Sequence, residues 1–254
     1  MGKRLISANA SEILGMNAEE LKQSIKASEG RVILSENVAT RESFIGDITN
    51  SEIARAFGAD LILLNGVDVL KPYIFGLEVK EESFVKELQN LVGRPIGVNL
   101  EPVDLEANMA EDRLTISKGR QANLETIKEI ERLGMNFVCF TGNPGTGVTN
   151  TEIEKTIKLA KKYFSGLIIA GKMHGAGVDE PVADMKAIES FIEAGADVIL
   201  VPAVGTVPGF DESELKEVVK LAHSKGALVL SAIGTSQESS DEDTIKQIAI
   251  RNKI

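Results

Sequence analysis

The sequence predicts an α/β fold of the TIM (β/α)8 type, and three observations carry that prediction. Apolar runs without polar alternation recur along the chain, as in strands buried on both faces. They recur at intervals of about 30 residues, the length of one βαβ unit. Helix-capping signals fall in the stretches between them. The chain has 254 residues, close to the roughly 250 of one such barrel.

The elements follow in chain order. Residues 9–27 read as a helix in two pieces: Asn9 and Asn17 are each followed three residues later by a glutamate, Glu12 and Glu20, and Gly15 falls between the pieces. That spacing is a capping box. On this reading residues 1–30 form a helical cap ahead of the first strand. The apolar runs then occupy residues 32–34, 61–64, 96–98, 137–140, 167–169, 198–201 and 228–230. Between them, Thr49 with Glu52, Thr149 with Glu152, and Asp211 with Glu214 have cap spacing. Pro181 is placed as a first helical residue. Gly58, Gly134, Gly195 and Gly226 fall where helices should end. Such alternation puts the strands parallel and the helices outside. With no linker or low-complexity segment, residues 1–254 make one barrel domain. The period would place an eighth strand beyond Ile254, where the chain reads as the last turns of a helix. The eighth strand is therefore missing or atypical, and an open doubly wound sheet is the competing arrangement.

Composition narrows the function. Hydrophobic residues make up 43% and charged residues 26%, with a net charge of −10. That charge disfavours nucleic acid and anionic membranes as partners, and an anionic ligand would need a local positive site. No apolar run approaches the ~20 residues of a membrane span. The N-terminus lacks the apolar stretch of a secretion signal, so the cytoplasm is expected. The single cysteine, Cys139, lies inside an apolar run, reads as a buried core thiol and forbids an intrachain disulfide.

The chemistry is expected where parallel strands end. The sharpest stretch is residues 167–177, Leu-Ile-Ile-Ala-Gly-Lys-Met-His-Gly-Ala-Gly. Lys172 could form a Schiff base with a carbonyl, or stay charged and anchor a carboxylate or phosphate. His174, or Glu101 after the third apolar run, could move a proton. Asn37, Asn65, Asn99, Thr141, Asn143 and Ser231 stand at other strand ends and are expected to orient a substrate. Residues 142–149 nearly match a phosphate-binding loop, but Val148 replaces its lysine, which argues against a nucleotide triphosphatase. A phosphate is expected instead on the amide-rich turns at Gly205, Thr206, Gly234 and Thr235. No cofactor is expected. The alternative is Mg²⁺ held by Glu36, Asp68 and Glu101; zinc is poorly supported. The long connections at residues 65–80 and 99–117 should be lids or substrate walls. Together these features point to a lyase or isomerase for a small phosphorylated or carboxylated carbonyl compound, binding a small anionic metabolite. A non-catalytic, metabolite-binding regulatory barrel is a further alternative. An open seam would be covered in a homo-oligomer.

Two stretches carry a resemblance: Gly-Ala-Asp-Leu-Ile-Leu-Leu-Asn at residues 58–65 and Gly-Ala-Asp-Val-Ile-Leu-Val at residues 195–201, together with the Gly-Thr turns. They resemble the phosphate-binding barrels, such as the tryptophan synthase alpha subunit and indole-glycerol-phosphate synthase, and most of all a stand-alone barrel family of that type. The layout is also distantly similar to phosphoenolpyruvate mutase and isocitrate lyase. That second resemblance implies a Mg²⁺-assisted enzyme. The sequence departs from it in having no Lys-[Lys/Arg]-Cys-Gly-His stretch, and in placing Cys139 within a strand.

Overall fold

The computed structural model describes residues 2–78, 80–109, 112–234, 237 and 239–253. Seven strands, β1 (Leu34–Val38), β2 (Leu61–Asn65), β3 (Ile96–Leu100), β4 (Phe137–Phe140), β5 (Leu167–Gly171), β6 (Val198–Pro202) and β7 (Leu228–Ala232), form one parallel sheet in sequence order. The helices α1 (Ala10–Leu14) and α2 (Ala18–Ala27) precede β1. After each strand comes a helix: α3 (Asn50–Ala56), α4 (Phe84–Val92), α5 (Leu124–Leu133), α6 (Asn150–Tyr163), α7 (Met185–Ala194), α8 (Glu212–Ser224) and α9 (Glu242–Arg251). This is the (β/α) plan of the TIM type that the sequence predicts. Among the described residues no eighth strand follows β7, and α9 is the last element.

The helices begin where side chains can satisfy the open backbone amides of their first turn. Asn9, Asn17, Thr49 and Asp211 form the expected capping boxes with Glu12, Glu20, Glu52 and Glu214. Gly134 and Gly195 close α5 and α7 in the left-handed conformation, with φ of 75° and 116°, which a side chain would strain. One start differs from expectation. Pro181 lies before α7 rather than in its first turn, because Asp184 caps the helix by accepting from the amides of Lys186 and Ala187.

The chain divides into two compact units. The first comprises Met1–Glu101, Ile116–Cys139 and Leu159–Ile168; the second comprises Pro102–Thr115, Phe140–Lys158 and Ile169–Ile254. In the first, β1 pairs with β2 from Leu34 opposite Leu61, and β2 with β3 from Ile62 opposite Ile96. Ile62, Leu64, Ile96, Val98 and Phe137 are fully buried there. In the second, β5, β6 and β7 pair in register through Ile169, Val198 and Leu228, over a core that includes Ile199, Val201, Val218 and Ala222.

The strands also differ in exposure. β3, β4, β5 and β6 are buried along their whole length, whereas β1 and β7 are mostly half-buried or exposed. β1 is displaced from the predicted run at residues 32–34. Its strand starts at Leu34 and takes in Ser35, Glu36 and Asn37, so Glu36 and Asn37 lie within the strand rather than beyond its tip. A terminal strand with solvent on one side tolerates these polar residues. No helix among the described residues is long and apolar enough to cross a membrane.

Gly97 in β3 has no room for a methyl group, because an added Cβ would overlap the ring of Phe137. Gly97→Ala should therefore lower stability by about 1–3 kcal/mol, as overpacked cores do; a urea midpoint unchanged from the wild type would contradict this packing. Burial, with a smaller contribution from the Glu36 carboxylate, pushes the Cys139 thiol well above its ordinary value. A raised thiol holds its proton at neutral pH, and only the thiolate reacts. Cys139 should thus resist an aromatic disulfide reagent at pH 8 in the folded protein and titrate as one thiol per chain once unfolded.

Candidate active site

In the second unit β5 runs to Gly171, opposite Leu200 of β6. A Cβ at Gly171 would overlap the Leu200 carbonyl, so a glycine is needed for the strand to pass this close. Lys172 follows at once. Its side chain is 1% exposed, and its Nζ lies 2.5 Å from Glu180 Oε2. The same carboxylate oxygen accepts from the backbone amide of Asn150 at 2.9 Å, and Asn150 is the first residue of α6. A buried ammonium without a counter-charge is strongly destabilising. Glu180 supplies that counter-charge, and it also meets the positive end of a 14-residue helix.

Two residues on, His174 helps to line a cavity of about 520 Å³ with Met109, Pro144, Gly145, Gly175, Ala176 and Gly177. The Ala176 amide donates to His174 Nδ1 at 2.9 Å. In the neutral imidazole this leaves the proton on Nε2. Ala176 takes a left-handed conformation, φ 53°, which is uncommon for a residue with a side chain.

Met109 lines this cavity from the segment whose described residues are 102–109 and 112–115. That segment is pinned by bridges from Val103 to Val148 and from Met109 to Val178. The amides of Asp104 and Leu114 donate to the carbonyls of Gly147 and Gly145. Thr149 Oγ1 donates to Asp104 Oδ2 at 2.9 Å. Arg113 donates to the carbonyls of Asp104 and Leu105, so the segment also closes on itself. Gly147 and Gly177 admit the Met109 side chain; a Cβ on either would come within 2.9 Å of it.

The first unit holds the carboxylates. Glu101 follows β3, is 1% exposed and accepts from Arg120 Nη2 at 2.9 Å. The backbone joins the same two residues, since the Glu101 amide donates to the Arg120 carbonyl. Asp68 Oδ1 accepts from the amides of Leu70 and Lys71 and occupies the space that a Cβ on Gly119 would fill. Two carboxylates therefore converge on the adjoining residues Gly119 and Arg120. Glu36 is exposed on β1. Among the described residues no group of three histidine, cysteine or acidic side chains gathers to hold a metal, so the set Glu36, Asp68 and Glu101 does not assemble as a trio. Asn37 has both amide atoms buried without a hydrogen-bond partner. A buried amide without a protein partner is suited to a water or to a polar group of a ligand. Asn65 ends β2, and Asn99 lies buried within β3.

The remaining expected residues are placed as follows, all in the second unit. Thr141 is buried directly after β4. The Asn143 carbonyl accepts from both the amide and the hydroxyl of Thr146. Ser231 lies half-buried within β7, opposite Val201. Both the amide and the hydroxyl of Thr206 donate to the Ala203 carbonyl. The Gly234 amide donates to Gln237 Oε1. These phosphate-site donors are thus engaged within their own turns. Gly205 is left-handed, φ 91°, and Thr235 lies outside the described residues. Sequence reasoning missed Glu180, Arg120 and the pinning role of Asp104. Glu180 precedes Pro181 in a loop, and nothing in its spacing to Lys172 announces a pair. Nothing in the spacing of Arg120 to Glu101 announces a pair.

A family model described as a domain of unknown function, DUF7916, matches residues 6–254. No curated protein sequence matches the chain. Among solved structures the fold is similar to 2,3-dimethylmalate lyase, a member of the phosphoenolpyruvate mutase/isocitrate lyase superfamily, at 11% identity over 95% of this chain and 78% of that one, with a TM-score of 0.52. A Burkholderia cenocepacia J2315 protein classed provisionally with the lyases and mutases gives 14% identity, 91% and 78% coverage and a TM-score of 0.53. Phosphonopyruvate hydrolase, solved with oxalate and Mg²⁺, gives 15% identity, 92% and 77% coverage and a TM-score of 0.49. Of the two resemblances seen in the sequence, the solved structures share the mutase and isocitrate lyase layout; the phosphate-binding group is not specifically supported. The expectation that no cofactor takes part is not upheld by these comparisons: the hydrolase was solved with Mg²⁺, a statement about that enzyme.

The Glu101 pair generates a stability prediction. Arg120→Ala would leave a carboxylate buried without its counter-charge, which typically costs about 3–5 kcal/mol. Arg120→Met should do the same, since loss of charge rather than of bulk is responsible. Chemical denaturation at pH 7 measures both, and a change below 1 kcal/mol, well under that range, would show the pair to be dispensable.

Proposed function

The chain belongs to the DUF7916 family, and from that premise we propose that it is a lyase-type enzyme acting on a small carboxylated carbonyl compound. One observation carries the proposal: a buried lysine, Lys172, directly follows β5, two residues before His174 on the wall of a cavity. Lys172 offers a point charge to a carboxylate or carbonyl oxygen. His174 carries its Nε2 proton where the Ala176 amide holds the ring. For a hydroxy acid cleaved between the carbinol carbon and its neighbour, the hydroxyl proton passes to water as that oxygen becomes the carbonyl of one fragment, the electron pair of the broken bond moves onto the enolate of the other, and His174 donates the Nε2 proton that quenches it. The fold similarity to 2,3-dimethylmalate lyase supports the lyase class. A carboxylate is favoured over a phosphate because the amides of Thr206 and Gly234 are already engaged.

In the first unit Asp68 and Glu101 are the donors that fit a divalent cation. Mg²⁺ is commonly held by one or two carboxylates, with water and substrate oxygens completing its shell. They are the carboxylates of that unit that would supply such oxygens, and both are already engaged, Asp68 by the amides of Leu70 and Lys71 and Glu101 by Arg120. When bound, Mg²⁺ supplies Lewis-acid polarisation of a substrate oxygen. Asn37, with its unsatisfied amide, is the residue of that unit most suited to bind a polar ligand group.

The test is a product assay by NMR with oxaloacetate, 2,3-dimethylmalate and phosphonopyruvate, with Mg²⁺ or with EDTA. Cleavage of at least one in the presence of Mg²⁺ is expected. His174→Ala should lower kcat by about 10²–10⁴-fold, the usual worth of a positioned acid, and Lys172→Ala should abolish turnover with the fold retained. Full activity in both variants, or no cleavage of any of the three, would reject the reading.

A further inference from the structure

The Lys172–Glu180 contact has a composition that a purely structural ion pair does not need. A single oxygen, Glu180 Oε2, takes both the Lys172 ammonium and the first amide of α6. Buried ammonium, helix amide and positive helix end together make a receptor for one carboxylate group. The carboxylate in it is tethered, and the two partners differ in access: the Lys172 side chain is 1% exposed and that of Glu180 is 26% exposed. Glu180 is the solvent-side half, and it screens Lys172 from water.

We propose that this is a carboxylate-exchange site, in which Glu180 is a resident placeholder that a ligand's carboxylate displaces. The proposal rests on the reading of Lys172 as a substrate anchor. It adds the identity of the group that holds the site beforehand. Exchanging one carboxylate for another keeps the ammonium and the helix end paired in both states. The unpaired state, which would be costly, need not be populated. The placeholder also sits on a glycine-rich turn. Between Lys172 and Glu180 lie Gly175, Gly177 and the left-handed Ala176. Val178 in the same turn bridges Met109 of the cavity wall. Displacing Glu180 therefore loosens the turn that carries His174 and reaches Met109, both of which line the cavity. Ligand affinity is lowered by the fraction of time the placeholder occupies the site, which makes Glu180 a determinant of specificity for carboxylates strong enough to compete.

The experiment titrates oxalate and, separately, inorganic phosphate at constant ionic strength into the wild type, Glu180→Gln and Lys172→Met, by calorimetry. Glu180→Gln should bind oxalate at least about tenfold more tightly than the wild type, because the competing carboxylate is gone, and Lys172→Met should not bind it. In the wild type, saturating oxalate should raise hydrogen exchange of the amides at residues 176–184. Glu180→Gln binding no better than the wild type would overturn the proposal. So would Lys172→Met binding as well as the wild type, phosphate binding in place of oxalate, or no oxalate binding by any form. Should Glu180→Gln fail to fold, hydrogen exchange in the wild type decides: faster exchange supports displacement, and unchanged exchange at saturation overturns it. Oxalate binding involves no turnover, so these outcomes are read independently of the lyase assay.

Discussion

Burial of a parallel sheet on both faces is the constraint from which the rest of this structure follows. Strands β3, β4, β5 and β6 are buried along their whole length, and such a strand has little place for a charge along its run. Polar groups are driven to the carboxyl ends. There the chain turns toward a helix, and loop residues can reach back with a counter-charge. Glu101 directly after β3 and Lys172 directly after β5 both occupy this position, and both are almost wholly buried.

Each of these charges is retained by the same device. A residue in a following loop neutralises it, and the loop backbone adds further bonds. For Glu101 the partner is Arg120, reinforced by its carbonyl accepting from the Glu101 amide. For Lys172 the partner is Glu180, reinforced by the Asn150 amide. Removing one member of either pair leaves an uncompensated ion, which is why such sites are costly to break. The two pairs differ in their outer member. Arg120 lies in a segment whose backbone is joined to Glu101 on both sides, through the Arg120 carbonyl and the Ala122 amide. Glu180 reaches Lys172 and Asn150 through its side chain, and its own amide donates to the Val178 carbonyl within a turn containing two glycines.

Much of this plan is legible in the residues. The apolar runs at residues 61–64, 96–98, 137–140, 167–169, 198–201 and 228–230 each fall inside a strand, and all but the last lie in strands buried over the run. Capping boxes at Asn9, Asn17, Thr49 and Asp211 are local chemistry within four residues, and spacing alone reveals them. The reading fails where the environment is not local. β1 slides to Leu34–Val38 because an outer strand can carry Glu36 and Asn37. Pro181 gives way to Asp184 because a side chain that can accept from two amides makes the better helix start.

The sequence by itself determined the order of strands and helices, the burial of Cys139 and the placing of a lysine and a histidine just past the fifth strand. These depend on periodicity and on neighbours a few residues away. Only the tertiary structure decided the pairing of charges: Arg120 with Glu101, Glu180 with Lys172, Thr149 with Asp104. Such pairs join loops that leave different strands or close long turns. Which carboxylate meets which cation depends on distances set by the folded backbone, and the spacing along the chain does not encode them.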